Sequence, residues 1–206
     1  MVLPSSMFPS LSPSPLVFDA AACALLAAAS ALRARHASSP CAGACVLGFL
    51  CGVSAPLLRA VLMEQTSLVL DIPLYPAAAL AGSLAGAFLG RFLWTEGQCF
   101  SLLDAAGMQL MACAGVLIAR SWTHLSFLGV LLIAVVTVFL PGLIRDTALG
   151  DTAALADEPA YATAPLLGAL LTVACLFLQY PSAAAVIVGW SSGFSVRAFV
   201  LLRTRR

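Results

Sequence analysis

The chain has 206 residues, of which 62% are hydrophobic and only 9% charged, with a formal net charge of +1. So few polar residues cannot cover a water-soluble core, and so much apolar surface excludes a disordered chain. The near-neutral balance points to no nucleic-acid partner, which leaves a polytopic helical membrane protein.

Residues 1–15 are rich in Ser and Pro, with no basic residue before the first apolar run. They are expected to be a short disordered tail rather than a cleaved secretory signal. Seven apolar runs follow. The first covers about Leu16 to Leu32 and ends at Arg33, Arg35 and His36. The second covers about Cys41 to Met63, with Pro56 inside it, and the third about Pro73 to Trp94. The fourth runs from about Leu102 to Ala119, before Arg120, and the fifth from about His124 to Leu149, with Pro141-Gly142 inside it. The sixth covers about Pro159 to Phe177 and the seventh about Pro181 to Leu202, before a basic tail at 203–206. Runs of about 20 apolar residues cross a bilayer as helices, because unpaired backbone is intolerable in lipid. The expected fold is therefore all-α, with seven transmembrane helices in one domain over residues 16–202.

Orientation follows from the arginines. Arg33, Arg35, Arg91, Arg203, Arg205 and Arg206 fall on one side, and Arg120 on the other. The positive-inside rule places the N-terminus outside and the C-terminus inside. The acidic stretch Asp151 to Glu158 then also lies inside.

The two halves repeat. Arg59, Pro73, Tyr75 and Gly82 recur after a constant shift as Arg145, Pro159, Tyr161 and Gly168, and Asp19 matches Asp104 within one residue. Repeat one spans about 16–94 and repeat two about 102–178, with the seventh helix, about 181–202, outside both. Three spans per repeat make the second copy enter from the opposite side, which gives inverted topology. Transport sites form where interrupted helices of inverted repeats meet. The candidate interruptions are Ser54, Ala55 and Pro56 in the second helix and Leu140, Pro141 and Gly142 in the fifth. Either they open a cavity, because freed carbonyls need a partner, or they are packing kinks.

An Arg follows each proline segment. The expected topology puts Asp19 near Arg59 on one side and Asp104 near Arg145 on the other, so each Arg either pairs with its Asp or snorkels to headgroups. Asp146 directly follows Arg145, and adjacent helical residues do not face each other. Asp146 is therefore expected to have another partner or to face water. Trp94, Trp122, Tyr75, Tyr161 and Tyr180 near span ends read as interfacial anchors. Ala81-Gly82-Ser83, Gly86 and Gly90, and also Gly168 and Ala169, form ladders of small residues for close helix contact. The seven cysteines, Cys23, Cys41, Cys45, Cys51, Cys99, Cys113 and Cys175, lack zinc spacing and read as small packing residues. No cofactor is implied. All ten basic residues are Arg, which removes lysine chemistry, and no nucleophile–base pair stands out, so an enzyme is not expected.

Pro141-Gly142-Leu-Ile-Arg145-Asp146-Thr-Ala-Leu-Gly150, with Glu158-Pro-Ala-Tyr161-Ala-Thr-Ala, resembles the second-repeat motif of the prokaryotic trimeric intracellular cation channel (TRIC) family. Ser54-Ala55-Pro56-Leu-Leu-Arg59-Ala60, with Pro73-Leu-Tyr75, is the counterpart in the first repeat. The resemblance covers about residues 16 to 202. It departs from the family at the glycine triplets, of which only Gly142 remains, and at Ala60, where an Asp is expected. It implies a homotrimer in the bacterial inner membrane, with a pore in each protomer lined by the second and fifth helices. It also implies passive flow of monovalent cations, chiefly potassium. A transporter of a small metabolite such as glycine, or a membrane scaffold without transport, remains open.

Overall fold

Inside a bilayer the backbone has no water to bond to, so each apolar run must satisfy its own N–H and C=O groups. The computed structural model describes residues 13–64, 71–90, 97–122, 125–151 and 159–204, and among these it contains helices and no strand. In chain order they are α1 Pro13–His36, α2 Cys41–Leu62, α3 Leu74–Leu89, α4 Gly97–Trp122, α5 Phe127–Leu149, α6 Pro159–Phe177 and α7 Ser182–Thr204. Helix α1 begins at Pro13, so three residues assigned to the tail are helical. Proline suits a first turn, where its missing N–H would have no partner anyway. The rest of the tail, the segment with Arg91 and Trp94, His124, residues 152–158 of the acidic stretch, Arg205 and Arg206 lie outside the described residues.

Five helices, α1, α2, α4, α5 and α7, are long and apolar enough to cross a membrane. The third helix of each half is shorter, 16 residues in α3 and 19 in α6. Helices α1, α2 and α3 pack together as one half, and α4, α5 and α6 as the other. The halves meet through like elements, α1 on α4 and α2 on α5, as expected of inverted repeats about a two-fold axis. Helix α7 packs on α6 and α4, outside the repeat. The outer surface carries Val46, Leu50, Leu128, Leu132, Ile187 and Phe199, which suits lipid.

The first half is drawn tight by glycine. A Cβ on Gly82 or Gly86 of α3 would run into the backbone of Ala24 or Ala28 of α1. Such close approach is how small residues associate membrane helices.

The interruptions expected at residues 54–56 and 140–142 need correcting. Pro56 lies inside α2 and Pro141 inside α5, and both helices continue through them. A proline removes one hydrogen bond and crowds the carbonyl one turn back. A membrane helix absorbs that loss where polar side chains and small neighbours adjust around it. The Ser54 hydroxyl donates to the Cys51 carbonyl and the Thr137 hydroxyl to the Ile133 carbonyl, both at 2.8 Å, so neither replaces the bond lost at the Gly52 or Thr137 carbonyl, and the buried small residues around each proline carry the helix through. The third such proline, Pro165, sits inside α6 in the same way.

Candidate functional site

Among the described residues, repeat one buries a single ion pair. Arg59, in the last turn of α2, reaches Asp19 of α1, and its Nη2 donates to both carboxylate oxygens at 2.8 Å. Asp19 is fully buried and Arg59 is 3% exposed. The same Nη2 lies 3.7 Å from Met111 Sδ of α4. Arg59 Nη1 is buried without a hydrogen-bond partner, and a Cβ on Gly115 of α4 would come within 3.2 Å of it. Asp19, Pro56, Arg59, Ala60 and Tyr75 line a cavity of about 10 Å³, room for one water and not for a hydrated cation.

Repeat two buries a larger network. Arg145 of α5 donates from Nη1 to Asp104 Oδ1 of α4 at 2.5 Å, and from Nε to Asp146 Oδ1 at 2.7 Å. Arg197 of α7 donates from Nη2 to Asp104 Oδ2 at 3.0 Å. Its Nη1 contacts Met108 Sδ at 3.0 Å, and its guanidinium lies 4.6 Å from the centre of the Tyr161 ring. One carboxylate is thus shared by two guanidiniums, and one guanidinium by two carboxylates. Such alternation suits a medium in which a lone charge is expensive.

Asp146 is a second correction. Its partner is its neighbour in the chain, Arg145. Helical backbones point adjacent side chains apart, but an arginine is long enough to bend its Nε back along the helix. Tyr75 and Tyr161 are a third. Their places near span ends suggest interfacial anchors, yet they are 1% and 2% exposed. Each stands in the first turn of a short third helix and packs inward toward its Arg and Asp. Tyr180, by contrast, is exposed.

The proline segments face the interior. Ser54, Ala55, Pro56, Pro141 and Gly142 are buried, and Leu140 is half-buried. Gly142 is held to its residue type by Tyr161, since a Cβ there would collide with the tyrosine hydroxyl. That hydroxyl is itself buried without a hydrogen-bond partner. Among the described residues, no group of His, Cys, Asp and Glu is arranged to hold a metal.

The site residue that sequence reasoning missed is Arg197. Its partner lies 93 residues upstream, and α7 falls outside the repeat. The signal was available all the same: a single Arg amid the apolar residues of a span is a site candidate by itself. With it, the buried charges among the described residues number three Asp (19, 104, 146) and three Arg (59, 145, 197), which cancel.

The family model described as glycine transporter matches the chain twice, over residues 16–91 and 101–176, one match to each half. No curated protein matches the chain in sequence. Three solved structures are similar in fold. The TRIC trimeric intracellular cation channel orthologue from Rhodobacter sphaeroides is 24% identical with a TM-score of 0.86, covering 94% of this chain and 100% of that one. A prokaryotic TRIC channel in 0.5 M KCl is 17% identical with a TM-score of 0.83, covering 95% and 100%. A TRIC cation channel solved to explain conductance is 23% identical with a TM-score of 0.76, covering 91% and 93%.

Proposed function

The chain belongs to the family described as glycine transporter, the domain of the TRIC channels, and from that premise we propose that it is a passive channel for monovalent cations, chiefly potassium. The observation that carries the reading is the burial of six charged side chains inside the protomer of a membrane bundle. Ionisable residues at such depth mark ion pathways, because burial there is too costly to keep without a use. The pathway runs within each protomer between α2 and α5, past Asp19 and Arg59 in one half and Asp104, Arg145 and Asp146 in the other. While each Arg holds its Asp, the carboxylates are neutralised and a cation gains nothing by entering. A small displacement of α2 or α5 at Pro56 or Pro141 withdraws the guanidinium and leaves a carboxylate to receive the ion. The prolines and Gly142 then serve as flexing points. The assembly is a homotrimer in the bacterial inner membrane, with the N-terminus outside and the C-terminus in the cytoplasm.

Potassium flux into liposomes under an imposed gradient tests this. Wild-type protein is expected to pass potassium without saturation, and Arg145→Ala and Pro141→Ala to change that flux. The family description favours a second reading, glycine uptake, with a guanidinium receiving the carboxylate. Absence of potassium flux at every imposed voltage, together with saturable glycine uptake, would replace the channel by the transporter.

A further inference from the structure

Phe100 stands in the first turn of α4, one turn before Asp104, so the two side chains share a face of the helix. Its ring centre lies 4.8 Å from the Arg145 guanidinium and 5.4 Å from that of Arg33, both within cation–π reach. The two arginines differ sharply in environment. The Arg33 side chain is 41% exposed, and that of Arg145 is 2% exposed. Water therefore reaches Arg33, and the phenyl ring stands between it and the buried charges.

Arg33 belongs to the last turn of α1 and is ion-paired with Asp151, the residue just beyond the C-terminal cap of α5. Gly150 turns the chain there with a φ of 71°, a conformation that favours glycine. The Asp151 N–H then donates to the Asp146 carbonyl at 2.8 Å. The acid that holds Arg33 is thus tied through the backbone to the residue whose side chain holds Arg145. Any movement of this end of α5 shifts both contacts together.

Resting on the channel reading, we propose that Phe100 is a hydrophobic gate at the repeat-two end of the pathway and that the Arg33–Asp151 pair is its latch. An apolar ring in a narrow passage blocks ions by excluding water. A partly exposed ion pair contributes little net free energy, so it releases under modest force, whereas the buried pairs do not. The gate is one-sided. Four residues before Asp104 stands Phe100, but four before Asp19 stands Pro15, which has no ring. Release of Asp151 frees the ends of α1 and α5 to part, the ring leaves Arg145, and water enters as far as Asp104.

The test uses two readouts on the full-length protein in liposomes, potassium flux and thiol labelling. Cys51 of α2 is a free, fully buried thiol within electrostatic range of Asp104, Arg145 and Asp146. Its modification by a water-soluble methanethiosulfonate, resolved from the other cysteines by mass spectrometry, reports entry of water without requiring conduction. Phe100→Ala should raise both the flux and the Cys51 labelling rate by about tenfold or more. Arg33→Glu should raise both by about threefold, as loss of an exposed pair allows. The exchange Arg33→Asp with Asp151→Arg should return both toward wild type, which a mere folding defect would not do. Wild-type flux that Phe100→Ala and Arg33→Glu leave unchanged, with Cys51 still unreactive, overturns the gate and leaves the channel standing. Faster labelling in a protein that never passes potassium overturns the channel reading and keeps Phe100 as the barrier to water.

Discussion

The two halves bury the same Asp and Arg on the same helices, yet they neutralise them differently. In repeat one, among the described residues, Asp19 and Arg59 are each other's one charged partner, and Ala60 stands where the second half has Asp146. In repeat two, Asp146 adds an acid, and α7 supplies Arg197 to balance it. The packing differs to match. In repeat one, Gly82 lets α3 press against the α1 backbone at Ala24. The corresponding contact of Gly168 in repeat two meets the Gln109 side chain, whose Nε2 donates to the Gly189 carbonyl of α7 at 3.3 Å. A half can therefore accept an extra buried charge only where a further helix brings its opposite. Neutral buried charge, reached within repeat one and only with α7 in repeat two, is what the two share.

The largest effect that would break this comparison is expected from Arg59→Met. It strands Asp19, which among the described residues has no second cation, and removing one partner of a buried pair costs roughly 3–5 kcal/mol. Thermal unfolding in detergent should show a large drop, and the double variant Asp19→Leu/Arg59→Met should recover most of it. A single variant as stable as wild type would mean that repeat one does not depend on its pair. Arg197→Met should cost less, about 1–3 kcal/mol, because Asp104 keeps Arg145. Equal losses in the same unfolding measurement would show that sharing confers no tolerance. Gly142→Ala forces a methyl against the Tyr161 hydroxyl, and overpacking of this kind costs about 1–3 kcal/mol. Pairing it with Tyr161→Phe, which removes the colliding oxygen, should restore the melting temperature; no restoration would place the strain elsewhere. Smallest is Gln109→Ala, expected at about 1 kcal/mol for one buried hydrogen bond. Its signature is looser packing of α7 on α4, seen as faster hydrogen exchange around residue 189; unchanged exchange there would remove Gln109 from the seam.

Much of the fold was legible because hydrophobicity and spacing are local properties. Seven apolar runs and the recurrence of Arg59, Pro73, Tyr75 and Gly82 as Arg145, Pro159, Tyr161 and Gly168 pointed to the helices and their repeat. The approach of Asp19 to Arg59 was open to inference because each has a counterpart in the other half. Three features resisted. A proline in a chain signals a lost hydrogen bond, but whether the helix stops or continues depends on how the surrounding helices pack, as they do around Pro56 and Pro141. Tyr75 and Tyr161 lie near span ends in the sequence yet deep in the bundle, because the short third helices uncouple position along a run from burial. The role of Arg197 is not legible in the sequence, because a contact between α7 and α4 has no sequence neighbour to announce it.

The seventh helix bears on what kind of device this molecule is. Alternating-access carriers built from inverted repeats work by letting each half adopt the shape the other has just left. That exchange needs two halves of equivalent means. Among the described residues only Arg59 pairs with Asp19, whereas Asp104 is held by Arg145 and by Arg197 together. Swapping shapes would ask Asp104 to part from a cation that Asp19 never had. Arg197 pins one half in its role and makes rocking between mirrored states an unequal trade. A bundle anchored in this way is better suited to a gate that opens in place than to a machine that turns over.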